Sequence, residues 1–212
     1  MTQAAEKSAE RSADSLQRLY TVVVALAVGQ AITAFLKDRN TLLDLRSADS
    51  VAALPALLAF FITLVPFYHG MNRHLDRCYL EHDSGPKQGA LLLDFTIFFL
   101  ESFFLLAASW AIRRGLLTFL FLGLLLIGDC IWGVVSHLIH YAGGPSTVLR
   151  WTLINLIAVA IGLGVALTTV FGDASRSWML LVVALLRTVA DYWSSWRFYF
   201  PVVTDAGGTT AA

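Results

Sequence analysis

Charge is scarce in this chain. Asp, Glu, Lys and Arg make up 14% of its 212 residues, against about 25% in an ordinary soluble domain. The 15 acids and 15 bases also cancel, so no basic face offers itself to a phosphate backbone, and nucleic acid is excluded as a partner. Cysteine is nearly missing. Cys78 and Cys130 form no metal-ligand spacing and no disulfide framework. The chain contains no phosphate loop, Gly-x-Ser-x-Gly elbow, His-Glu-x-x-His or Cys-x-x-Cys, which removes the usual sequence warrants for nucleotide, serine-hydrolase, zinc-protease or dithiol chemistry. Residues 1–18 are polar, Ala/Ser-rich and of mixed sign, without the short apolar stretch and cleavage site of a secretory signal.

Apolar residues are what the chain has in excess: 57% of the total, with a mean hydropathy of +0.68. A soluble fold of this length cannot hide so much apolar surface in one core. Lipid can accommodate it. A helix crossing a bilayer needs roughly 20 mostly apolar residues. Six stretches meet or approach that length: residues 19–36, 51–69, 90–112, 116–137, 148–171 and 178–199. None alternates as a membrane barrel strand would. The expected fold is therefore an all-α integral membrane protein, a bundle of about six transmembrane helices with short loops. Residues 1–18 form a polar cytoplasmic segment, 19–201 the transmembrane domain, and 202–212 a disordered tail.

The connections read as turns. Residues 37–50 include Leu42, Leu43 and Leu45 and suit the membrane interface; residues 70–89 form the longest polar connection, with Ser84-Gly85-Pro86 as its turn. Arg113-Arg114-Gly115, Ala142-Gly143-Gly144-Pro145-Ser146 and Gly172-Asp173-Ala174-Ser175-Arg176 separate the later helices. With the amino terminus inside, Lys7, Arg11, Arg18, Arg73, Arg77, Lys87, Arg150 and Arg197 face the cytoplasm, against Lys37, Arg39, Arg46, Arg113, Arg114 and Arg176 outside. That bias places both termini on the cytoplasmic side of the plasma membrane. The aromatic run from Tyr192 to Phe200 reads as an interfacial belt closing the last helix. Gly29, Gly128 and Gly162, with nearby alanines, mark expected close approaches between helices.

Charge inside the apolar runs carries the functional signal. Glu101, Asp129 and Arg187 lie near the middles of the third, fourth and sixth runs. At such depth an Asp or Arg costs about 2.5–3.5 kcal/mol on insertion scales, so these side chains are expected to face inward. Arg187 and Asp191 are one turn apart and can pair. Asp94 and Glu101, seven apart, give the third helix an acidic stripe, and Asn155 adds a polar group on the fifth. Acids outnumber the deep arginine, so at least one carboxyl is expected to be protonated or solvated. Two interpretations of Glu101, Asp129, Arg187, Asp191, Asp94 and Asn155 stand side by side: an ion pathway or polar core, or a network that only fixes helix register.

A second group gathers at one membrane face. His69, Arg73 and Asp76 follow at i, i+4 and i+7, His74 stands beside them, and His137 and His140 end the fourth helix. Such histidines can titrate or ligate, but a lone His-x-x-His is also ordinary at an interface. Whether a metal binds is left open; no cofactor is expected, and His pairs at a single depth do not suit a bis-haem protein. The leading expectation is a small channel or carrier for protons or cations, embedded in lipid and forming a homo-oligomer. The alternatives are an intramembrane enzyme using His69, His137, His140 and Asp94, or an effector subunit that docks a soluble partner on residues 70–89.

Overall fold

Each apolar run is helical in the computed structural model, which describes residues 3–37, 48–80, 90–140 and 147–200. The helices are α1 (Gln3–Leu36), α2 (Ala48–Leu75), α3 (Ala90–Trp110), α4 (Leu116–His140), α5 (Thr147–Leu167), α6 (Asp173–Ser194) and the short α7 (Trp196–Tyr199). No strand occurs among the described residues. Five of these helices, α1 to α5, contain segments long and apolar enough to cross a membrane. α6 is also long, at 22 residues, but carries Asp173, Arg176, Arg187 and Asp191. The expected interfacial stretch at Leu42, Leu43 and Leu45, the turn Ser84-Gly85-Pro86, the connection at 142–146 and the tail 202–212 lie outside the described residues.

Two helices outrun the apolar stretches that announce them. α1 starts at Gln3, so its 34 residues extend about 51 Å at 1.5 Å per residue, well beyond a hydrocarbon core of about 30 Å. Its first turns are rich in Ala, Glu, Lys, Arg and Gln, which favour helix even in water, and Asp14 pairs with Arg18 one turn on at 2.9 Å. α2 likewise runs past His69 to Leu75, and a π-helical turn at Asp76–Leu80 prolongs it. Residues 70–80, expected to open a polar loop, are thus helical. Packing explains the extension: Met71, Leu75, Cys78 and Tyr79 form one buried cluster with Ala13, Leu16 and Tyr20 of α1.

The long helices close into a ring in the order α1, α3, α4, α5, α6, α2, with α2 returning to α1. Cross-contacts from α2 to α4 and from α4 to α6 fill the middle. Where α1 ends and α2 begins, the interior is apolar, built from Ala27, Ala31, Phe35, Ala53, Phe60 and Leu64. The opposite half holds the polar residues.

Burial is inverted relative to a soluble protein. Leu92, Phe99 and Leu167 are about 70% exposed (71%, 70% and 71%), whereas Asp94, Glu101, Asp129, Arg187 and Asp191 are at most 3% exposed. That distribution is compatible with an integral membrane protein, whose outer surface meets hydrocarbon.

Local devices hold the ring together. Pro66 stands inside α2 and has no N–H for the carbonyl of Ile62 one turn earlier; Thr188 Oγ1 of α6 donates to that carbonyl at 3.1 Å. Gly115 ends the α3–α4 turn at φ 45°, a backbone region costly for any residue with a Cβ. The close approach of α4 to α5 is at Gly133, where a Cβ would collide with Thr152 Oγ1. Gly29 and Gly128, expected at such contacts, have open space around them, and at Gly162 a Cβ would only touch Leu180. Spacing alone did not show which side of each helix meets a neighbour.

Candidate functional site

The buried polar groups form two hydrogen-bonded assemblies with an isolated carboxylate between them. The first centres on Asp94 of α3. Trp132 Nε1, from α4, donates to Asp94 Oδ1 at 2.8 Å. Tyr79, carried in by the π-helical turn after α2, donates its hydroxyl to Oδ2 at 2.8 Å. His74 Nε2 lies 3.2 Å from the same oxygen, and its Nδ1 lies 3.6 Å from Cys78 Sγ. Three helical elements thus converge on one carboxylate, and donors compensate its desolvation.

The second assembly centres on Asp191 of α6 and repeats the recipe. It accepts from an indole, Trp151 Nε1 at 3.2 Å, and from a phenol, Tyr199 at 3.1 and 3.2 Å. Its cation is Arg187, whose Nη2 stands 3.6 Å away, an ion pair beyond good hydrogen-bond distance. Tyr199 reaches back because the chain turns at Ser195 before α7, and its ring settles over Gly70 of α2. From Arg187 the chain of bonds continues inward. Arg187 Nε donates to Asn155 Oδ1 at 2.7 Å, and Asn155 Nδ2 donates to Asp129 Oδ2. Asn155 thus accepts from the cation through its carbonyl oxygen and donates to the anion through its amide nitrogen.

Glu101 belongs to neither assembly. It is 1% exposed, and both its carboxylate oxygens are buried without a hydrogen-bond partner. The nearby hydroxyl of Tyr20, from α1, is also buried and unpartnered. Burying a carboxyl without donors is costly in any medium of low dielectric. Packing needs do not call for such a group.

Glu101 and Asp129 line a narrow cleft of about 30 Å³, bordered by late α2, mid α3 and α4, early α5 and the α6–α7 corner. Aromatic rings dominate its wall: Trp132 and Trp151 meet edge to face at 5.7 Å and 87°, and Phe98 tilts against Trp132 at 6.1 Å. A second, larger and mainly apolar cleft lies between early α4, late α5 and early α6, with Arg187 on its wall. The Asp129–Asn155–Arg187 chain stands between the two.

All six residues expected in the polar core are buried in the ring. Arg187 does pair with Asp191, and Asn155 links that pair to Asp129; Asp94 has its own partners. The group expected at one face disperses. His69 sits among the rings of Tyr192, Tyr199 and Phe200. Arg73 Nε donates to the Phe198 carbonyl. His74 joins Asp94, and Asp76 accepts from Gln17 Nε2 of α1 at 2.8 Å. His137 Nδ1 is buried without a partner, and the side chain of His140 lies outside the described residues. Asp76 lies one turn after Asn72, whose carbonyl accepts from the same Gln17 amide, so that edge of α2 faces α1. No three His, Cys, Asp or Glu residues gather to hold a metal among the described residues.

Sequence reasoning missed Tyr20, Tyr79, Trp132, Trp151 and, as a site residue, Tyr199. A usable signal existed for the tryptophans: Trp132 is three residues after Asp129 and Trp151 four before Asn155, so each shares a helix face with a buried polar group. Comparison with protein-family models, curated proteins and solved structures finds no match.

Proposed function

We propose that this chain is a six-helix plasma-membrane protein, with both termini cytoplasmic, that carries protons or cations. Glu101 is the observation that supports the reading most directly. A carboxyl with no donor, next to Asp129 on a cleft at one end of the bundle, is a group suited to take up and release a proton or a cation. The two satisfied assemblies around Asp94 and Asp191 serve as the frame for that site. A carrier suits the arrangement better than an open pore. The aromatic cleft ends at Glu101 and Asp129, and the Arg187 guanidinium beyond them opposes further passage of a cation.

Flux assays with the purified protein in liposomes test the reading. Wild-type protein is expected to move protons or a monovalent cation, and correctly folded Glu101→Gln to lose at least tenfold of that flux. A wild type that moves no ion, or a Glu101→Gln protein with unchanged flux, removes the proposal. The topology is tested separately by reporter fusions after Leu36, His82, Gly115, Gly144, Ser175 and the carboxyl terminus. They are expected to alternate sides, and two consecutive fusions on one side would refute six spans.

A further inference from the structure

The second cleft, between early α4, late α5 and early α6, has a volume of about 210 Å³. We infer that it binds an uncharged, lipid-soluble carbonyl compound, whose oxygen accepts from Arg187 and whose apolar body fills the cavity. This site is apart from Glu101 and rests on no part of the ion reading. Two glycines keep the space open. Gly123 of α4 and Gly162 of α5 both line it. A Cβ on Gly123 would meet nothing within 4 Å, and one on Gly162 would meet only Leu180, at an ordinary 3.6 Å. Glycine costs a helix interior about 1 kcal/mol relative to alanine, and no helix contact requires it at either position. A large side chain at either one would close the cavity.

The polar side chains on that wall, among the described residues, are Thr63 and Arg187. Arg187 is buried, its Nε donates to Asn155, and neither Nη1 nor Nη2 has a hydrogen-bond partner. Guanidinium donors left unmatched in an apolar cavity call for an acceptor, and a carbonyl oxygen with two lone pairs is one. Charge decides against an anion. Asp191 already stands 3.6 Å from Nη2, and Asp129 is one asparagine away. A further carboxylate would enter low dielectric without a cation of its own. A water beside Arg187 would leave most of the space lined by bare hydrocarbon, where water finds no partners. Size and access agree with an organic guest. An apolar cavity of about 150 Å³ holds benzene, so about 210 Å³ takes a ring with a small substituent. Leu120, Ile127 and Leu163 line the cavity and are also exposed on the outer apolar surface, which gives a guest entry from that side.

Equilibrium dialysis of the purified protein in micelles, corrected against protein-free micelles, provides the test with three probes of one shape. Acetophenone carries the carbonyl, α-methylstyrene has a methylene in place of the oxygen, and benzoate is the anion. Acetophenone is expected to bind once per chain and about tenfold more tightly than α-methylstyrene, the worth of one hydrogen bond from a charged donor. Benzoate at pH 7 should bind more weakly than acetophenone. Gly123→Leu and Gly162→Leu, which fill the cavity from two helices, should each weaken acetophenone at least tenfold while the melting temperature stays the same or rises. Absence of acetophenone binding, equal binding of α-methylstyrene, tighter binding of benzoate, or an unchanged affinity in either folded glycine variant overturns the assignment. The two proposals fail separately, because binding is read here without transport: a missing carbonyl site leaves the ion reading as it stands, and missing flux leaves this site as it stands.

Discussion

Replacing Glu101 with leucine is expected to make the protein more stable and inactive at once. Both oxygens of Glu101 are buried with no donor, so the native fold bears a desolvation cost of about 1–3 kcal/mol that no hydrogen bond returns. Leucine brings no polar atom and is larger than glutamate by about one methylene, which the cleft beside Phe98 has space to take. Glu101→Leu should therefore raise the unfolding free energy by about 2 kcal/mol while flux falls to background, the trade-off expected of a functional group kept against stability. Asp94→Leu is the matched control. It strands the Trp132 N–H, the Tyr79 hydroxyl and His74 together, and should cost about 3–5 kcal/mol. Reversible unfolding in mixed micelles, read by tryptophan fluorescence, measures both. A Glu101→Leu protein destabilised by more than about 1 kcal/mol would show that the carboxylate holds the bundle together, and the argument for a site at Glu101 would fall with it.

Other perturbations follow from the same geometry. Arg187→Met should cost about 3–5 kcal/mol by leaving Asp191 without its cation, and Arg187→Met with Asp191→Asn should recover a large part of that; additive losses in a double-mutant cycle would refute the pairing. Thr188→Val should cost roughly 1 kcal/mol by uncapping the Ile62 carbonyl. It should cost nothing on a Pro66→Ala background, where the helix caps that carbonyl itself; equal losses in both backgrounds would contradict the assignment. Gly133→Ala should lower stability by about 1–3 kcal/mol through the contact with Thr152, and Thr152→Ala should restore it, both measured by thermal melting.

How much of this was legible in the sequence depended on whether one helix or several carried the information. The helices and the inward direction of Glu101, Asp129 and Arg187 follow from the cost of charge in hydrocarbon, a property of each residue alone. Arg187 with Asp191 was readable because both lie on one helix, four residues apart. Trp132 with Asp94 was not, since 38 residues and a change of helix separate them and helical period says nothing about a neighbour's rotation. Tyr199 was misplaced for a related reason. An aromatic run beside a proline has the composition of an interfacial belt, and only the turn at Ser195 sends this ring back to Asp191. The isolation of Glu101 is the least readable feature, because it depends on every surrounding side chain turning elsewhere.

The ring order has a consequence for biogenesis. α2 is synthesised second, yet the neighbour that completes its enclosure, α6, is synthesised last of the long helices. The bonds across that junction span 123 to 126 residues: Tyr192 with His69, Arg73 with the Phe198 carbonyl, and Thr188 with the Ile62 carbonyl. Until ribosomal synthesis passes Tyr199, the proline-opened backbone of α2 and that side of the aromatic cleft stay uncovered. The α2–α6 junction is thus a seam that only the finished chain can close, and a nascent protein stalled before it would present quality-control proteases with an unsealed groove and an uncapped carbonyl.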